Sequence, residues 1–215
     1  MNFFDVLLDT TQQQTIASRI HGAVVGIVTN NQDPDGMGRV KVKFPWLNDQ
    51  DESDWARITS LMAGKERGLY FLPEVDDEVL VLFEQGDVRF PYIIGALWNG
   101  KDAPPIKNDD GKNNIRLIQS RSGHVIRLND ENGKETIEII DKSGNNKIVI
   151  DTSKNAIAIT SNKDITLSAP QGTIKLEAKE IQLKSTAATK LEASAGIDIK
   201  ANATMNLKGA TINLN

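Results

Sequence analysis

The chain has 215 residues, a formal net charge of −4 and no cysteine, so disulfides, thiolate metal centres and a cysteine nucleophile are excluded. Its acidic balance opposes generic binding to nucleic acid, which needs a basic footprint. No stretch approaches the roughly 20 apolar residues of a membrane-spanning helix, and residues 1–20 lack the basic start of a secretory signal. Synthesis and folding in the cytoplasm are therefore expected.

Residues 1–20 read as an N-terminal arm whose Phe3, Phe4, Val6, Leu7 and Leu8 form an apolar group that needs a covering surface. From residue 21 to 98 the pattern is all-β. Ala23 to Thr29 reads as a strand, and Asn30 to Gly38 is a dense run of turn residues. Arg39 to Phe44 alternates strictly, with Val40, Val42 and Phe44 on one face. Further strands are predicted at Trp55–Met62, Glu78–Glu84 and Pro91–Leu97. The unbroken apolar run beginning at Val79 predicts a strand covered on both faces. About five strands in this length fit a small closed barrel of the OB type, with a small β-sandwich as the alternative. Residues 99–112, polar with two glycines and a Pro pair, read as a linker.

The second half has different chemistry. All the aromatic residues lie between Phe3 and Trp98, and Pro170 is the one proline after Pro105. Residues 1–111 carry a net charge of −8 and residues 112–215 one of +4. Apolar pairs two residues apart recur as Ile157/Ile159, Ile165/Leu167, Ile174/Leu176, Ile181/Leu183, Ile197/Ile199, Met205/Leu207 and Ile212/Leu214, with Thr189/Leu191 filling one slot weakly. Successive first members are 7 to 9 residues apart. The earlier pairs Ile115/Leu117, Ile126/Leu128, Ile137/Ile139 and Ile148/Ile150 extend the series with longer spacers.

A two-residue spacing puts both side chains on one face of a strand. Eight residues supply one short strand and a turn, a fraction of a single-chain β-helix coil. Ordering them costs more than one half-exposed pair contributes. Several identical chains wound around a shared apolar core satisfy both pairing and burial, and three faces make the simplest closed prism. Residues 113–215 are accordingly expected to form an intertwined trimeric needle, with the seven strong apolar pairs from Ile157/Ile159 to Ile212/Leu214 as its core.

Gly26-Ile-Val-Thr29 followed by Asp33-Pro-Asp-Gly-Met-Gly-Arg-Val-Lys-Val-Lys-Phe-Pro-Trp46 resembles the opening of the OB domain in valine-glycine-repeat spike proteins of type VI secretion systems and contractile phage tails. Trp55-Ala-Arg57, Gly68 to Val79, Glu84-Gln-Gly-Asp87 and Gly95 to Gly100 continue the likeness in order. Ser120-Arg-Ser-Gly-His124 and Asp141-Lys-Ser-Gly-Asn145 resemble the start of the family's β-needle. The resemblance implies a homotrimer with an OB collar and a triple-stranded β-helix, serving as the central spike of a contractile injection machine. It further implies a separate hub or baseplate protein, a PAAR-type tip protein, cargo effectors and transient contact with a target membrane. On that footing Phe3, Phe4, Val6, Leu7 and Leu8 are expected to dock on the hub, the alternative being a short arm packed on its own barrel. Thr211, Ile212, Asn213, Leu214 and Asn215 are expected to seat the tip, because the repeat runs undiminished to the last residue. Two departures are noted: only about 20 residues precede the barrel, where longer relatives carry a hub domain, and neither a lysozyme domain nor a His-x-His tip is present.

No catalytic constellation stands out, and neither enzyme activity nor a cofactor or metal is expected. His21 and His124 are the only histidines; a role at strand entry is expected for His124. Glu74, Asp76, Asp77 and Glu78 read as a solvated loop rather than a cation site. Trp46, Trp55 and Trp98 are expected in core and interface packing. The alternative function is an OB module binding nucleic acid, its aromatics acting as a stacking platform, with an oligomerising tail.

Overall fold

The structure is a computed structural model that describes residues 19–213. Its regular structure is all-β, with one 3₁₀ turn at Glu84–Gly86 and no α-helix among the described residues. The chain divides after Thr160 into two compact units.

The first unit begins with a curled six-stranded sheet. Strand β1 (Val24–Asn30) pairs antiparallel on one side with β2 (Lys41–Phe44) and on the other with β7 (Glu78–Phe83). Beyond β7 lies β8 (Pro91–Ala96), antiparallel, and beyond that β4 (Arg57–Ile58), which runs parallel to β8. β3 (Asn48–Glu52) flanks the far side of β2. Val40 and Ala56, just before β2 and β4, exchange backbone hydrogen bonds of 3.1 and 2.7 Å. That bridge ties the two sides of the sheet, so the order around the barrel is β1, β2, β4, β8, β7 and back to β1. A five-stranded Greek-key ring of this kind is the OB arrangement.

Alternation decides what fills it. Val28 on β1, Val42 and Phe44 on β2, Val79, Val81 and Phe83 on β7, and Ile93 on β8 are buried with Val40 and Ala56. Small branched side chains suit an interior this narrow, and Phe44 and Phe83, ring centroids 5.5 Å apart, are its aromatic pair. The tryptophans lie outside this core: Trp46 and Trp98 are half or more exposed. At Gly26 on β1 a Cβ would lie 3.3 Å from Val81 Cγ2 and 3.4 Å from Phe44 Cε1, which is why the inward position between Val24 and Val28 carries no side chain.

Three sequence readings change here. Within this chain β7 is covered on one face only, because Leu82 on the other is exposed. The expected strand Trp55–Met62 shrinks to Arg57–Ile58, since the chain leaves the barrel and turns back as a separate hairpin of β5 (Ala63–Gly64) and β6 (Arg67–Gly68). The third concerns the start of the repeat.

After residues 99–114 comes a five-stranded antiparallel meander: β9 (Ile115–Gln119), β10 (Val125–Asn129), β11 (Thr136–Ile140), β12 (Lys147–Asp151) and β13 (Ala156–Thr160), each paired with the next without a register shift. Leu117 lies opposite Arg127, and Ile118 opposite Ile126. Ile115 and Leu117 therefore sit on the face opposite Ile126/Leu128, and Ile118 joins the apolar series instead. A one-residue displacement inverts a strand's faces, and the Ile-Arg-Leu-Ile sequence of β9 allows either reading until its partner is known.

The turns of the meander hold the register. Asp141 accepts hydrogen bonds from Ser143 Oγ at 2.8 Å and Asn146 Nδ2 at 2.8 Å, while Gly144 takes φ of +73°. These bonds, that from Ser143 foremost, lower the Asp141 pKa to about 2. Asp151 is lowered to about 2 by Lys154, whose Nζ lies 2.7 Å away, and by Ser153. His124 donates its backbone N–H to Ser120 Oγ at 3.0 Å, and its Nδ1 accepts from Lys142 N–H at 3.2 Å. It thus ties the β9–β10 and β11–β12 turns together.

In the second unit, described through Asn213, no strand pairing forms among the described residues, and all of them are exposed apart from the half-buried Ser161. Bends or turns recur at 162–163, 170–172, 179, 186–187, 194–195, 202–203 and 210. Their spacing repeats that of the apolar pairs, with one pair in each stretch between bends up to Met205/Leu207.

Candidate assembly surfaces

The alternation of the meander puts two files of aliphatic side chains across one face. One file is Ile118, Ile126, Ile139, Ile148 and Ile159; the other is Leu128, Ile137, Ile150 and Ile157, with Arg116 at its β9 end. Every aliphatic member is exposed, from 39% at Ile150 to 72% at Ile157. Nine large aliphatics in contiguous cross-strand contact exceed what isolated surface residues present, and patches of that kind mark association surfaces. On the opposite face Arg127 pairs with Glu138 directly across the ladder, beside the half-buried Leu117, Val125, Ile140 and Val149. Arg116 is held at the margin by Asp130.

Ile157 and Ile159 of the expected core lie on this stripe. Ile165, Leu167, Ile174, Leu176, Ile181, Leu183, Ile197, Ile199, Met205, Leu207 and Ile212 lie in the second unit and are all exposed within the single chain. Of the expected tip seat, Thr211, Ile212 and Asn213 are exposed, and Leu214 and Asn215 lie outside the described residues. The expected hub-binding group Phe3, Phe4, Val6, Leu7 and Leu8 also lies outside them.

Two features of the barrel escaped the sequence reading. Val25, Leu82 and Ile94 are exposed on its outer wall, where Trp46 donates its Nε1–H to the Val25 carbonyl at 3.3 Å. A cleft of about 840 Å³ lies between the Gly36–Gly38 turn and the β5–β6 hairpin, lined in part by Met37, Leu61, Met62, Tyr70 and Phe71. Alternating hydrophobicity hints at the first, because β7 is apolar on both faces; the hairpin carries no such periodicity.

The turn-rich segment after β1 is a knot of charge. Asp33 receives Arg39 Nε at 2.9 Å and Nη2 at 2.7 Å, and accepts backbone N–H groups of Asp35, Met37 and Arg39. The Arg39 guanidinium foremost, with those backbone donors, holds the Asp33 carboxyl well below the usual carboxylate range. Arg39 also reaches Asp35 at 2.6 Å and lies over the Trp55 ring. Every acceptor of Asp33 is thereby engaged, so its role is to fix the loop. Asp87 is similarly brought down to about 2 by Arg89, bound at 2.6 and 3.0 Å.

The acidic loop before β7 is tied up in the same way. Glu74 pairs with Arg121 of the first meander turn at 3.0 Å, Asp77 accepts the Glu74 N–H at 2.8 Å, and Glu78 accepts from Asn99 at 3.2 Å. Among the described residues no group of three His, Cys, Asp or Glu side chains is placed to hold a metal ion. No helix among them is long and apolar enough to cross a membrane.

Comparison with known proteins agrees with this geometry. Residues 24–98 match the type VI secretion system/phage-baseplate injector OB domain. The type VI secretion system spike protein VgrG1b of Pseudomonas aeruginosa is 28% identical over 154 residues, which cover 69% of this chain and 20% of that protein. The spike protein VgrG3 of Vibrio cholerae is 29% identical over 131 residues, 55% of this chain and 13% of that protein. The actin cross-linking toxin VgrG1 of Vibrio cholerae is 31% identical over 111 residues, 48% of this chain and 10% of that protein. The chain thus spans a fifth or less of the length of these relatives. Residues 24–98 are similar to the injector OB domain, and the chain is similar over part of its length to VgrG spike proteins of type VI secretion systems.

Proposed function

We propose that the chain is the structural, non-enzymatic central spike of a contractile injection system, phage-tail-like or type VI-like, and that it works as a homotrimer. The observation that carries this reading is the pairing of an injector OB domain with a stripe of nine exposed aliphatics, continued by a repeat whose extended stretches have no partners in their own chain. Three copies turned inward would bury the stripe and give every extended stretch two neighbouring strands. Such a needle transmits an axial push because its backbone is hydrogen-bonded around the whole circumference, and it pierces the target envelope with no chemistry at an active site.

Within that assembly Phe3, Phe4, Val6, Leu7 and Leu8 dock on a separate hub or baseplate protein, their support being five apolar side chains in six positions. Residues 211–215 seat a PAAR-type tip protein, the exposed Ile212 providing apolar contact. Cargo effectors travel on the same spike. The protein is made in the cytoplasm and built into the baseplate, touching the target membrane only during firing.

Sedimentation equilibrium of the full chain gives the first test, with three times the chain mass expected at micromolar concentration. A monomer there overturns the trimer. Mass spectrometry of contractile particles purified from the producing cell gives the second, and particles lacking the chain overturn the spike role.

A further inference from the structure

The apolar pairs of the second unit are so alike that they leave one question to other residues. Ile174/Leu176 and Ile181/Leu183 are the same pair, one repeat apart. Chains that slipped past each other by a repeat would bury nearly the same core. Apolar packing alone therefore specifies alignment weakly, as in any uniform β-array.

The outward residues are not uniform. In four successive repeats the position just after the pair holds Glu177, Lys184, Glu192 and Lys200, each 7 or 8 residues from the next, and all are exposed. The sign alternates through these four, with the neutral Ser168 one repeat before them and Lys208 one repeat after. The position between the members of each pair faces the same way: Lys175 Nζ lies 2.5 Å from Glu177 Oε2. There Lys190 is followed one repeat later by Asp198.

We propose that this alternation is an inter-chain register code, with a second and third copy of this chain as its partners. The proposal rests on the trimeric reading above. In a three-start prism each chain moves to the next face as it descends by one strand spacing. Directly below a given repeat of one chain therefore lies the following repeat of its neighbour, parallel to it. Residues at equivalent positions of parallel neighbours stack on one face, where opposite charges attract and like charges repel.

Correct register sets Glu177 against the neighbour's Lys184, Lys184 against Glu192, Glu192 against Lys200, and Lys190 against Asp198. Slipping one chain by one repeat brings equal repeats together on one side and repeats two apart on the other. Both contacts then oppose like charges, Glu177 with Glu177 or Glu192, and Lys184 with Lys184 or Lys200. The alternation penalises the slip that the apolar core tolerates.

The natural chain has no cysteine, so cross-linking reads the register directly. The double reporter Lys175→Cys/Gln182→Cys should link all three chains when the register is correct, whereas Gln182→Cys alone should link chains only after a slip. In the natural background the first reporter should give covalent trimer and the second none. Lys184→Glu with Lys200→Glu makes the four positions uniformly acidic. At low salt this background should gain the Gln182→Cys dimer, and peptide mapping of the double reporter should find 175–175 and 182–182 links where the natural background gives only 175–182 links. Adding Glu177→Lys and Glu192→Lys inverts the alternation and should restore the natural pattern, and high salt should erase the difference between backgrounds. A uniformly acidic background that stays trimeric with unchanged cross-links overturns the code and leaves the trimer standing. If every background sediments as a monomer, the trimer falls and the code with it.

Discussion

Placing a carboxylate at Ile159 or at its neighbour Ala158 separates a shared core from a solvent-facing sheet. The two residues are adjacent on β13, point to opposite faces, and are both exposed in the single chain, Ile159 at 59%. A monomer would tolerate Ile159→Asp and Ala158→Asp equally. In an inward-facing assembly the exposed share of Ile159 becomes buried, and at about 1.5–3 kcal/mol for a whole aliphatic side chain that share contributes about 1–2 kcal/mol per chain. Substitution loses this three times over, and it places three carboxylates together in an apolar core, each costing several kcal/mol to desolvate unpaired. Sedimentation velocity combined with thermal melting should show Ile159→Asp dissociated, or melting far below the natural protein, with Ala158→Asp close to it. Equal behaviour of the two variants refutes the inward assignment of the stripe.

Further outcomes follow from the barrel and the turns. Gly26→Ala should destabilise the barrel by about 1–3 kcal/mol, the usual cost of overpacking a core, because its Cβ would press on Val81, Phe44 and the Lys43 carbonyl; chemical denaturation of the full chain measures it. Arg39→Lys should lower the melting temperature more than Arg89→Lys, since Arg39 serves both Asp33 and Asp35 from a largely buried position whereas Arg89 is exposed. The meander should weaken in acid. Asp141 and Asp151 are lowered from 3.8 to about 2 on folding, so their contribution is present above pH 4 and is lost as the pH falls toward 2. Hydrogen exchange of the β11–β12 hairpin should report this loss, and Asp141→Asn should remove much of its pH dependence. Leu117→Asp should disturb assembly less than Ile118→Asp, since only Ile118 faces the stripe; the reverse order would restore the register read from the sequence.

The barrel was legible because its strands alternate. Val40, Val42 and Phe44 were separated from Lys41 and Lys43 by period alone, and all three are buried. The alternation failed to warn that β7 would be bare on one side, because a continuous apolar run says that both faces want cover without saying whether the cover lies in the same chain. The β5–β6 hairpin was missed for a different reason: Met62 to Gly68 has neither period, and its geometry rests on Gly68 approaching the Met62 carbonyl. In the meander the pairs from Ile126 onward do share one face, since Asp, Asn and Gly turns of similar chemistry fix each hairpin. Ile115/Leu117 does not, because register belongs to a pair of strands and a single strand cannot declare it.

The hydrogen-bonded ladder stops at Thr160. In the meander every strand pairs with the next one in sequence, and such local ladders close quickly. Past it, in the proposed trimer, strand formation waits on encounter with the other two chains. Assembly of a trimeric spike would then have two kinetic regimes: fast hairpin formation independent of concentration, followed by a collision of three preformed faces. Once those faces meet, the chains are held at effective concentrations set by short tethers, and the remaining repeats close like a zipper from residue 161 onward. Refolding should show a concentration-dependent phase that ends before the final one. Truncations in the distal repeats should leave the rate of that collision unchanged while shortening the phase that follows it.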